Sequence, residues 1–436
     1  MKFSDYRIND QLKANIETMG FKKPTDIQFK SIPPILRRED VLAIAQTGTG
    51  KTAAFVIPII HNLLKNKAKH ADVRCVVMVP THELAQQIAK VFVQFSEKLT
   101  LRTVAIYGGV SQDEQIEDLK RGVDILVATP GRLFDLRSQG YIELQNLEIL
   151  ILDEADYMLD LGFINDIKDL LHFIPKKRQT LFFSATIDDR IKKLAYSIVK
   201  NPMRIQISPK NPVAKTVEHG VVFIPHDDKR FFLERIAKEY PEAKILVFVR
   251  TRVRAERVKK AMERVEIQSV TMHGEKDQEE RQVALNSFVN SDCKMLIATD
   301  VSARGIDVPN VDLVINYDFP ERPENYVHRV GRTGRGSKQG QAIAFCGDDE
   351  KPMLLDVETY LGASINVIKL EHGYYQETID FSAEVKSDWK TLIKEEESFL
   401  AEKKKKKNAN IAAKARKKLN PKKSKTKTKT KPKRKG

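Results

Sequence analysis

The chain has 436 residues, of which 41% are hydrophobic, and its formal net charge at pH 7 is +16. This length exceeds one ordinary core and predicts two domains plus tails. No apolar run approaches the ~20 residues of a membrane span, and the N-terminus lacks the apolar segment of a signal peptide. The widely separated Cys75, Cys293 and Cys346 are expected to be reduced core residues of a cytoplasmic protein, without metal or disulfide spacing.

The first half of the chain alternates strand-like and helix-like segments. Residues 9–19 are predicted to be helical, and Thr25 is predicted to cap a helix through about Ile35 that Pro33-Pro34 ends. Strand-like runs follow at 41–44, 75–79, 103–107, 125–128, 149–152 and 180–184. Such alternation predicts an α/β fold in which helices cover both faces of a parallel sheet.

A second alternating set follows a proline-containing stretch at 200–215, which is predicted to be a linker. Its strand-like runs are at 218–223, 245–249, 269–272, 295–299, 313–317 and 341–345. The repeated pattern predicts two similar α/β domains. The predicted divisions are 1–205, a linker at 206–215, a second domain at 216–368, a helical extension at 369–402 and a tail at 403–436. Apolar residues of the extension fall near helical spacing, which predicts packing on the second domain; a protein-binding or dimerising helix is the alternative.

The turn after the first strand has the composition of a phosphate-binding loop. Its residues are Gln46, Thr47, Gly48, Thr49, Gly50, Lys51 and Thr52. Glycines allow backbone N–H groups to turn inward, and the helix that starts near Lys51 directs its positive dipole end at phosphate. Lys51 is predicted to reach the β- and γ-phosphates, and Thr52 to ligate Mg²⁺.

The apolar run 149–152 ends in Asp153-Glu154-Ala155-Asp156. A buried strand that ends in carboxylates is typical of an NTPase, which places an Mg²⁺-organising aspartate at the rim of a parallel sheet. Asp153 is therefore a metal and catalytic candidate. Glu154 is predicted to polarise the attacking water.

The second half carries a run dense in arginine from His328 to Arg335. Guanidinium groups are permanently charged forks that suit phosphate, and arginines at a γ-phosphate stabilise the charge that develops in phosphoryl transfer. A nucleotide is thus expected between Lys51 and Asp153 of one domain and the arginine-rich run of the other. Neither domain alone supplies every catalytic group, so hydrolysis is expected to require closure.

These motifs, in this order over residues 3 to about 368, resemble the DEAD-box RNA helicases, a superfamily 2 family, of the compact bacterial type. The resemblance implies two RecA-like parallel-sheet domains in tandem, joined by a short linker. It implies that Phe21 stacks on adenine, Gln28 hydrogen-bonds its edge and Asp307 meets the ribose. Arg329 and Arg332 match the family's arginine fingers. The residues matched to coupling of ATP chemistry with domain closure are Asp156, Ser184, Thr186 and His328.

The resemblance also implies an RNA-binding set at the ends of strands. These residues are Pro80, Thr81, Gly108, Gly109, Thr129, Pro130, Arg132, Arg250, Thr251, Arg281 and Thr299. Small residues and hydroxyls there suit sugar–phosphate contacts, so little sequence specificity is expected. One departure is His82, which stands where the family has Arg; a neutral imidazole lacks the permanent charge and the fork of donors.

The function implied is an ATP-dependent RNA helicase that binds, remodels and locally unwinds short duplexes, with ATP and Mg²⁺ as cofactors. The expected partners are single-stranded RNA and short RNA duplexes, with ribonucleoprotein or ribosomal precursors as further candidates; no membrane is expected, and the chain is expected to be a monomer. An RNA clamp in which ATP is only a latch and a DNA helicase are the alternatives.

The positive charge is concentrated at the C-terminus. Residues 403–436 contain 16 Lys and 2 Arg and no acid, whereas the remaining 402 residues hold 57 basic and 59 acidic residues. Lys-Thr repeats with Pro and Asn cannot bury a core, which predicts a disordered Lys-rich tail. Such an arm gains affinity for phosphate polymers through counterion release, and this favours an RNA tether. A solubilising tail and an acidic protein partner are the alternatives.

Overall fold

A computed structural model describes residues 2–45, 48–65, 73–207, 213, 216–300, 308, 311–334 and 339–381. Within these ranges the chain forms two seven-stranded sheets, and every strand pairing recorded in either sheet is parallel. We call the part through β7 the first lobe and the part from β8 to β14 the second lobe.

The first sheet has the order β3-β4-β2-β5-β6-β1-β7. Its strands are β1 Val41–Ala45, β2 Cys75–Met78, β3 Thr103–Ile106, β4 Ile125–Ala128, β5 Ile149–Leu152, β6 Gln179–Ser184 and β7 Met203–Ile207. The helices of this lobe are α1 Asp10–Thr18, α2 Asp26–Leu36, α3 Lys51–Lys65, α4 His82–Phe95, α5 Asp113–Lys120, α6 Pro130–Ser138, α7 Ala155–Asp160, α8 Ile164–Phe173 and α9 Asp189–Ile198.

The second sheet has the order β10-β11-β9-β12-β13-β8-β14. Its strands are β8 Val217–Phe223, β9 Ile245–Val249, β10 Val270–Met272, β11 Met295–Thr299, β12 Leu313–Asn316, β13 Gly340–Cys346 and β14 Asn366–Val367. The described helices here are α10 Lys229–Glu239, α11 Arg252–Arg264, α12 Gln278–Val289, α13 Pro323–Val330 and α14 Lys351–Leu361. The chain through Leu370 forms one compact unit, and α15 His372–Phe381 belongs to a second.

Four strands of the first sheet are continuously apolar, as expected for a sheet that has helices on both of its faces. All four residues of β5 are buried, as are all of β1, β2 and β4. Neighbouring residues on one strand point to opposite faces, so Ile149 and Ile151 join one core while Leu150 and Leu152 join another. The predicted fold class, tandem parallel sheets with covering helices, is confirmed.

Strand β7 lies inside the stretch that composition assigned to a linker, and its last two residues overlap the predicted linker at 206–215. It pairs with β1 from Val41↔Met203 to Ala45↔Ile207. Only one of its five residues, Ile205, is buried, because β7 is an edge strand with a polar outer surface. An edge strand of this kind resembles a linker in composition. Residues 208–212 and 214–215 lie outside the described ranges.

The prolines of α2 lie in its last turn, and the helix ends at Leu36, one residue beyond the predicted end near Ile35. Helix α2 continues through Leu36 and contains both Pro33 and Pro34. Each proline lacks an N–H donor, but its carbonyl still accepts: Arg37 N–H donates to Pro33 O at 3.2 Å and Glu39 N–H to Pro34 O at 3.1 Å. The last turn therefore tolerates both residues.

The three cysteines are free and buried. Cys75 lies in β2 and Cys346 in β13, and Cys293 is 6% exposed. Burial raises the pKa of all three thiols, that of Cys346 to about 11. They are core residues, as predicted. Among the helices that the structure describes, none combines the length and the apolarity needed to cross a membrane.

Candidate functional site

The phosphate-binding loop joins β1 to α3. Gly48 and Gly50 have φ angles of +80° and +92°, in the left-handed region that favours glycine. A Cβ on Gly50 would lie 2.5 Å from Gln28 Nε2, so a side chain here would displace the Gln28 amide as well as strain the backbone. Gln46 and Thr47 lie outside the described residues.

Lys51 is the first residue of α3 and is only 7% exposed. Its Nζ has no hydrogen-bond partner among the described residues. A buried ammonium without a partner is costly, so its position indicates an anionic ligand at the helix N-terminus. Thr52 follows it and is partly exposed at the same end of α3.

The acidic residues after β5 lie beside this lysine. Asp153 is 3% exposed, and its Oδ1 accepts the Glu154 N–H at 3.0 Å. Burial raises the pKa of both carboxyls, and the Lys51 ammonium opposes that rise. Glu154 has φ 51°, a left-handed conformation that costs a non-glycine residue about 1–3 kcal/mol. Strain of this kind at a partly exposed carboxylate next to the buried Asp153 is typical of a functional site.

Asp156 connects the acidic turn to the end of β6. Its Oδ2 accepts hydrogen bonds from Ala185 N–H at 3.1 Å, Thr186 N–H at 3.0 Å and the Thr186 hydroxyl at 3.2 Å. Ser184 is fully buried, and its Oγ has no partner among the described residues. His328 of α13 lines the same cavity as Asp156 and Thr186. The structure thus brings the four predicted coupling residues to one region.

Gln28 links the segment predicted to read adenine to the phosphate loop. Its Oε1 accepts the Thr25 N–H at 2.9 Å, and its Nε2 donates to Gly50 O at 3.1 Å. The Thr25 hydroxyl donates to Thr49 O at 2.8 Å. One amide hydrogen of Gln28 remains for another acceptor. Phe21 is partly buried, with its ring 6.0 Å from Phe3 and 5.4 Å from Phe95 between centroids.

Arg332 of the second lobe lies near the carboxylates of the first. Its guanidinium is one of the charges that oppose the burial-driven rise in the pKa of Glu154. Arg332 is 5% exposed, and its Nε donates to His328 O at 3.3 Å. Lys51 of the first lobe and Arg332 of the second thus both oppose the rise in the pKa of this carboxyl. Asp307 and Arg335 lie outside the described residues.

Arg329 is held by contacts within its own lobe. It is 2% exposed, and its Nε and Nη2 donate to Asp300 at 2.6 and 2.8 Å. Its Nη1 donates to Asn316 Oδ1 at 3.2 Å and to Asp318 O at 2.8 Å. These four donor contacts show that Arg329 positions groups of the second lobe. Its role as an arginine finger stays a prediction, because a count of arginines in a motif cannot distinguish a buried guanidinium from one that faces ligand.

The RNA-binding candidates of the first lobe lie at one edge of its sheet. Pro80 and Thr81 follow β2, Gly108 and Gly109 follow β3, and Thr129 and Pro130 follow β4. These strands are neighbours in the order β3-β4-β2, so the three turns are adjacent. In the same lobe Arg132 Nη2 donates to Val110 O at 2.8 Å, while its Nη1 is buried with no partner among the described residues.

The candidates of the second lobe repeat this arrangement. Thr299 ends β11 and Arg250 follows β9, and these two strands are neighbours. Thr251 caps α11 by accepting the Arg254 N–H at 3.2 Å. Arg250 Nη2 contacts Glu350 Oε1 at 3.2 Å, and its Nε lies 3.4 Å from Glu321. Arg250 is therefore held at this edge by carboxylates of its own lobe.

A polar contact between the lobes joins the N-termini of α4 and α12. Arg281 Nη2 lies 2.6 Å from Glu83 Oε1, and both side chains are largely buried. Gln278 Nε2 donates to Glu83 Oε1 at 3.4 Å, and His82 Nδ1 lies 3.1 Å from Gln278 Oε1. Sequence reasoning assigned Arg281 to RNA and assigned no role to Glu83. The only signal for Glu83 was its place in the motif that contains His82, since no pattern predicts pairing between distant helices.

Two protein families match this chain, one in each lobe. The DEAD/DEAH box helicase family profile matches residues 25–194, and the helicase conserved C-terminal domain profile matches residues 228–337. The DEAD-box ATP-dependent RNA helicase RhpA of Helicobacter pylori is 36% identical over 368 residues, which cover 84% of this chain and 74% of that protein. The chain belongs to the DEAD-box family of ATP-dependent RNA helicases.

Other DEAD-box proteins are similar over most of the chain. The ATP-dependent RNA helicase RhlB of Xanthomonas oryzae is 40% identical over 84% of this chain, which spans 65% of that relative's length. S. cerevisiae Dbp5 bound to RNA and ADP BeF3 has a TM-score of 0.76 at 28% identity and covers 88% of this chain and 99% of its own. Mss116p bound to ssRNA and AMP-PNP has a TM-score of 0.76 at 27% identity, covering 89% and 85%. The predicted family is confirmed.

Proposed function

We propose that this DEAD-box protein hydrolyses ATP between its lobes and uses the cycle to bind, remodel and locally unwind short RNA duplexes. The observation that carries the proposal is the buried Lys51 Nζ at the start of α3, which has no hydrogen-bond partner among the described residues. The carboxylates after β5 lie beside it, and Arg332 of the second lobe is one of the charges that oppose the rise in the pKa of Glu154. RhpA and RhlB are named as ATP-dependent RNA helicases, and the Dbp5 and Mss116p structures hold RNA with a nucleotide analogue.

In this proposal the buried ammonium of Lys51 binds the β- and γ-phosphates, because no group of the described chain satisfies it. Thr52 and Asp153 fit an Mg²⁺ site, since oxygen ligands beside a phosphate loop suit that ion; when bound, it neutralises phosphate charge. Glu154 orients the water that attacks. Arg332 stabilises the charge that develops on the transferred group, while Arg329 positions Asp300 and the end of α13.

The RNA surface in this proposal is the pair of sheet edges that present the turns after β2, β3 and β4 and the ends of β9 and β11. These turns present small residues, hydroxyls and guanidinium groups, which suit sugar–phosphate contacts and favour little sequence specificity. The Nη1 of Arg132, which has no hydrogen-bond partner in the described part of the chain, supports an anionic ligand on the first lobe. Residues 403–436 add a cationic tether that strengthens RNA binding through counterion release.

The test is the Glu154→Gln variant, which keeps the shape and removes the charge. It should abolish ATP turnover while it retains ATP binding, and full residual ATPase activity would overturn the assignment of Glu154. A strand-displacement assay separates a helicase from a clamp that only holds RNA. ATPase stimulation by RNA and by DNA of the same sequence separates an RNA helicase from a DNA helicase.

A further inference from the structure

A second contact between the lobes involves residues outside the motifs assigned above. Arg322 Nη1 donates to Asp160 Oδ2 at 2.5 Å. Asp160 is the last residue of α7 in the first lobe, and Arg322 is the N-cap of α13 in the second. This ion pair therefore joins two helices that the sequence places far apart.

Both helices carry groups of the proposed ATP site at their other ends. Helix α7 follows directly from Asp153 and Glu154, and α13 leads through His328 to Arg332. Six residues of α7 and eight of α13 span about 9 and 12 Å at 1.5 Å per residue. A contact that fixes the far end of each short helix constrains the approach of Arg332 to Glu154.

Asp160 also has an alternative cation in its own lobe. Arg190 Nη2 lies 3.9 Å from Asp160 Oδ1 and 3.1 Å from Asp188 Oδ2. These three side chains and that of Arg322 line one cavity. Asp156, Thr186 and His328 line the same cavity. Because Arg190 and Asp160 belong to the same lobe, separation of the lobes would leave Asp160 with this neighbouring cation. Loss of the Arg322 contact is therefore expected to be less costly than the isolation of a carboxylate without any cation nearby.

We propose that the Asp160–Arg322 ion pair is a clasp that favours the closed arrangement of the lobes, and that Arg322 is a positioning residue that sets how strongly ATP and RNA binding are coupled. The inference rests on the proposed function. Arg322 is 46% exposed and Asp160 23%, so solvent screens the pair and its effect is modest. A modest effect shifts the equilibrium between open and closed lobes but does not hold the lobes closed permanently. This suits an enzyme whose lobes must reopen in each cycle.

The experiment measures RNA-stimulated ATPase activity of the full chain and of Arg322→Gln, at saturating ATP and increasing single-stranded RNA. Arg322→Gln should raise the RNA concentration for half-maximal stimulation about two- to five-fold. It should leave kcat at saturating RNA and the affinity for a nucleotide analogue without RNA nearly unchanged. Arg190→Gln is the matched control, because it removes a neighbouring guanidinium that joins no helix of the second lobe, and it should cause less than half of that change.

A double-mutant cycle with Asp160→Asn identifies the pair itself. If the pair acts as a clasp, the RNA concentration for half-maximal stimulation should be no higher in the double variant than in Arg322→Gln alone. The difference in this concentration between the variants and wild type should also shrink as added salt screens the pair. Additive effects, or an unchanged RNA concentration for half-maximal stimulation in Arg322→Gln, would overturn the clasp. A wild-type chain without RNA stimulation would instead overturn the proposed function and the clasp with it.

Discussion

Glu83 of the first lobe and Arg281 of the second form a largely buried ion pair, with Oε1 and Nη2 2.6 Å apart. Glu83 lies in α4 of the first lobe, and Arg281 lies in α12 of the second lobe. Removal of one partner leaves a buried charge without its counter-charge, which is more costly than the loss of an exposed pair. Loss of either partner is therefore expected to disfavour the arrangement in which α4 and α12 meet.

Glu83→Gln should weaken RNA-stimulated ATPase activity at subsaturating RNA by about ten-fold or more, because the closed state then buries the Arg281 charge unpaired. ATP binding in the absence of RNA should change little. Steady-state ATPase titrations with RNA measure both quantities. Glu279→Gln is the matched control, since Glu279 is an exposed glutamate of α12. Equal activities of the two variants would contradict a role for the buried pair.

Arg329 and Arg332 should behave differently on substitution although they share one motif. Arg329→Ala should lower the free energy of unfolding of the second lobe by on the order of 3 kcal/mol, because Asp300 loses its bidentate partner. Arg332→Ala should lower kcat by on the order of 10³ with little change in Tm. Thermal unfolding and single-turnover hydrolysis separate the two effects. Similar Tm values for both variants would refute the structural assignment of Arg329.

The contact between Asp156 and Thr186 provides a test of coupling. Thr186→Val removes one of three hydrogen bonds to Asp156 Oδ2, a loss of about 1 kcal/mol. Strand displacement should fall about five-fold while the ATPase rate falls less. Ser184→Ala is the comparison for stability, since the Ser184 hydroxyl has no partner among the described residues. A parallel loss of both activities in Thr186→Val would argue against a coupling role.

His61 should make the N-terminal segment sensitive to acid. Its Nδ1 accepts the Asn9 N–H at 3.0 Å, and burial lowers the pKa of the imidazole. The unfolded-state pKa is about 6.5, so the stability from neutral His61 is present above that pH and is lost as pH falls through the lower folded-state pKa. His61→Gln should therefore reduce the fall in Tm from about pH 7.5 to about pH 5.

Burial also lowers the pKa of His219, which remains in the His61→Gln variant, so the pH dependence should be reduced and not abolished. Thermal unfolding over this pH series measures the slope. A variant with the slope of the wild type would contradict the assignment to His61.

Deletion of residues 403–436 removes a charge of +18 and tests the tether. RNA affinity should fall, and the plot of log affinity against log salt should become flatter, because fewer counterions are released. Maximal ATPase activity should remain largely intact. Binding titrations at several salt concentrations provide the slopes, and equal slopes with and without the tail would refute the tether.

The sequence was sufficient to predict the two parallel sheets and to select most of the candidate nucleotide-binding residues. Strands such as 125–128 and 149–152 are short apolar runs bounded by turns, and their period and composition are local properties. The phosphate loop and the acidic turn have side-chain chemistry that few other turns share. Local pattern also explains the error at β7, because an edge strand with a polar surface has the composition of a connection.

Relationships between distant side chains were not accessible from the sequence. The burial of Arg329 depends on Asp300 and Asn316, and the pairing of Glu83 with Arg281 depends on how two lobes meet. No spacing along the chain encodes either contact. The sequence therefore predicted which residue types serve the chemistry, whereas the structure shows which of these side chains contact one another.

The inaccessibility of the native thiols gives this protein a practical advantage for observing its motion. Cys75, Cys293 and Cys346 are buried, and their raised pKa values leave little thiolate to react with maleimide dyes. Cysteines introduced at exposed sites such as Glu97 and Glu263 would be labelled in preference to them. Fluorescence energy transfer between the two dyes would then follow opening and closing in single molecules that keep every natural cysteine.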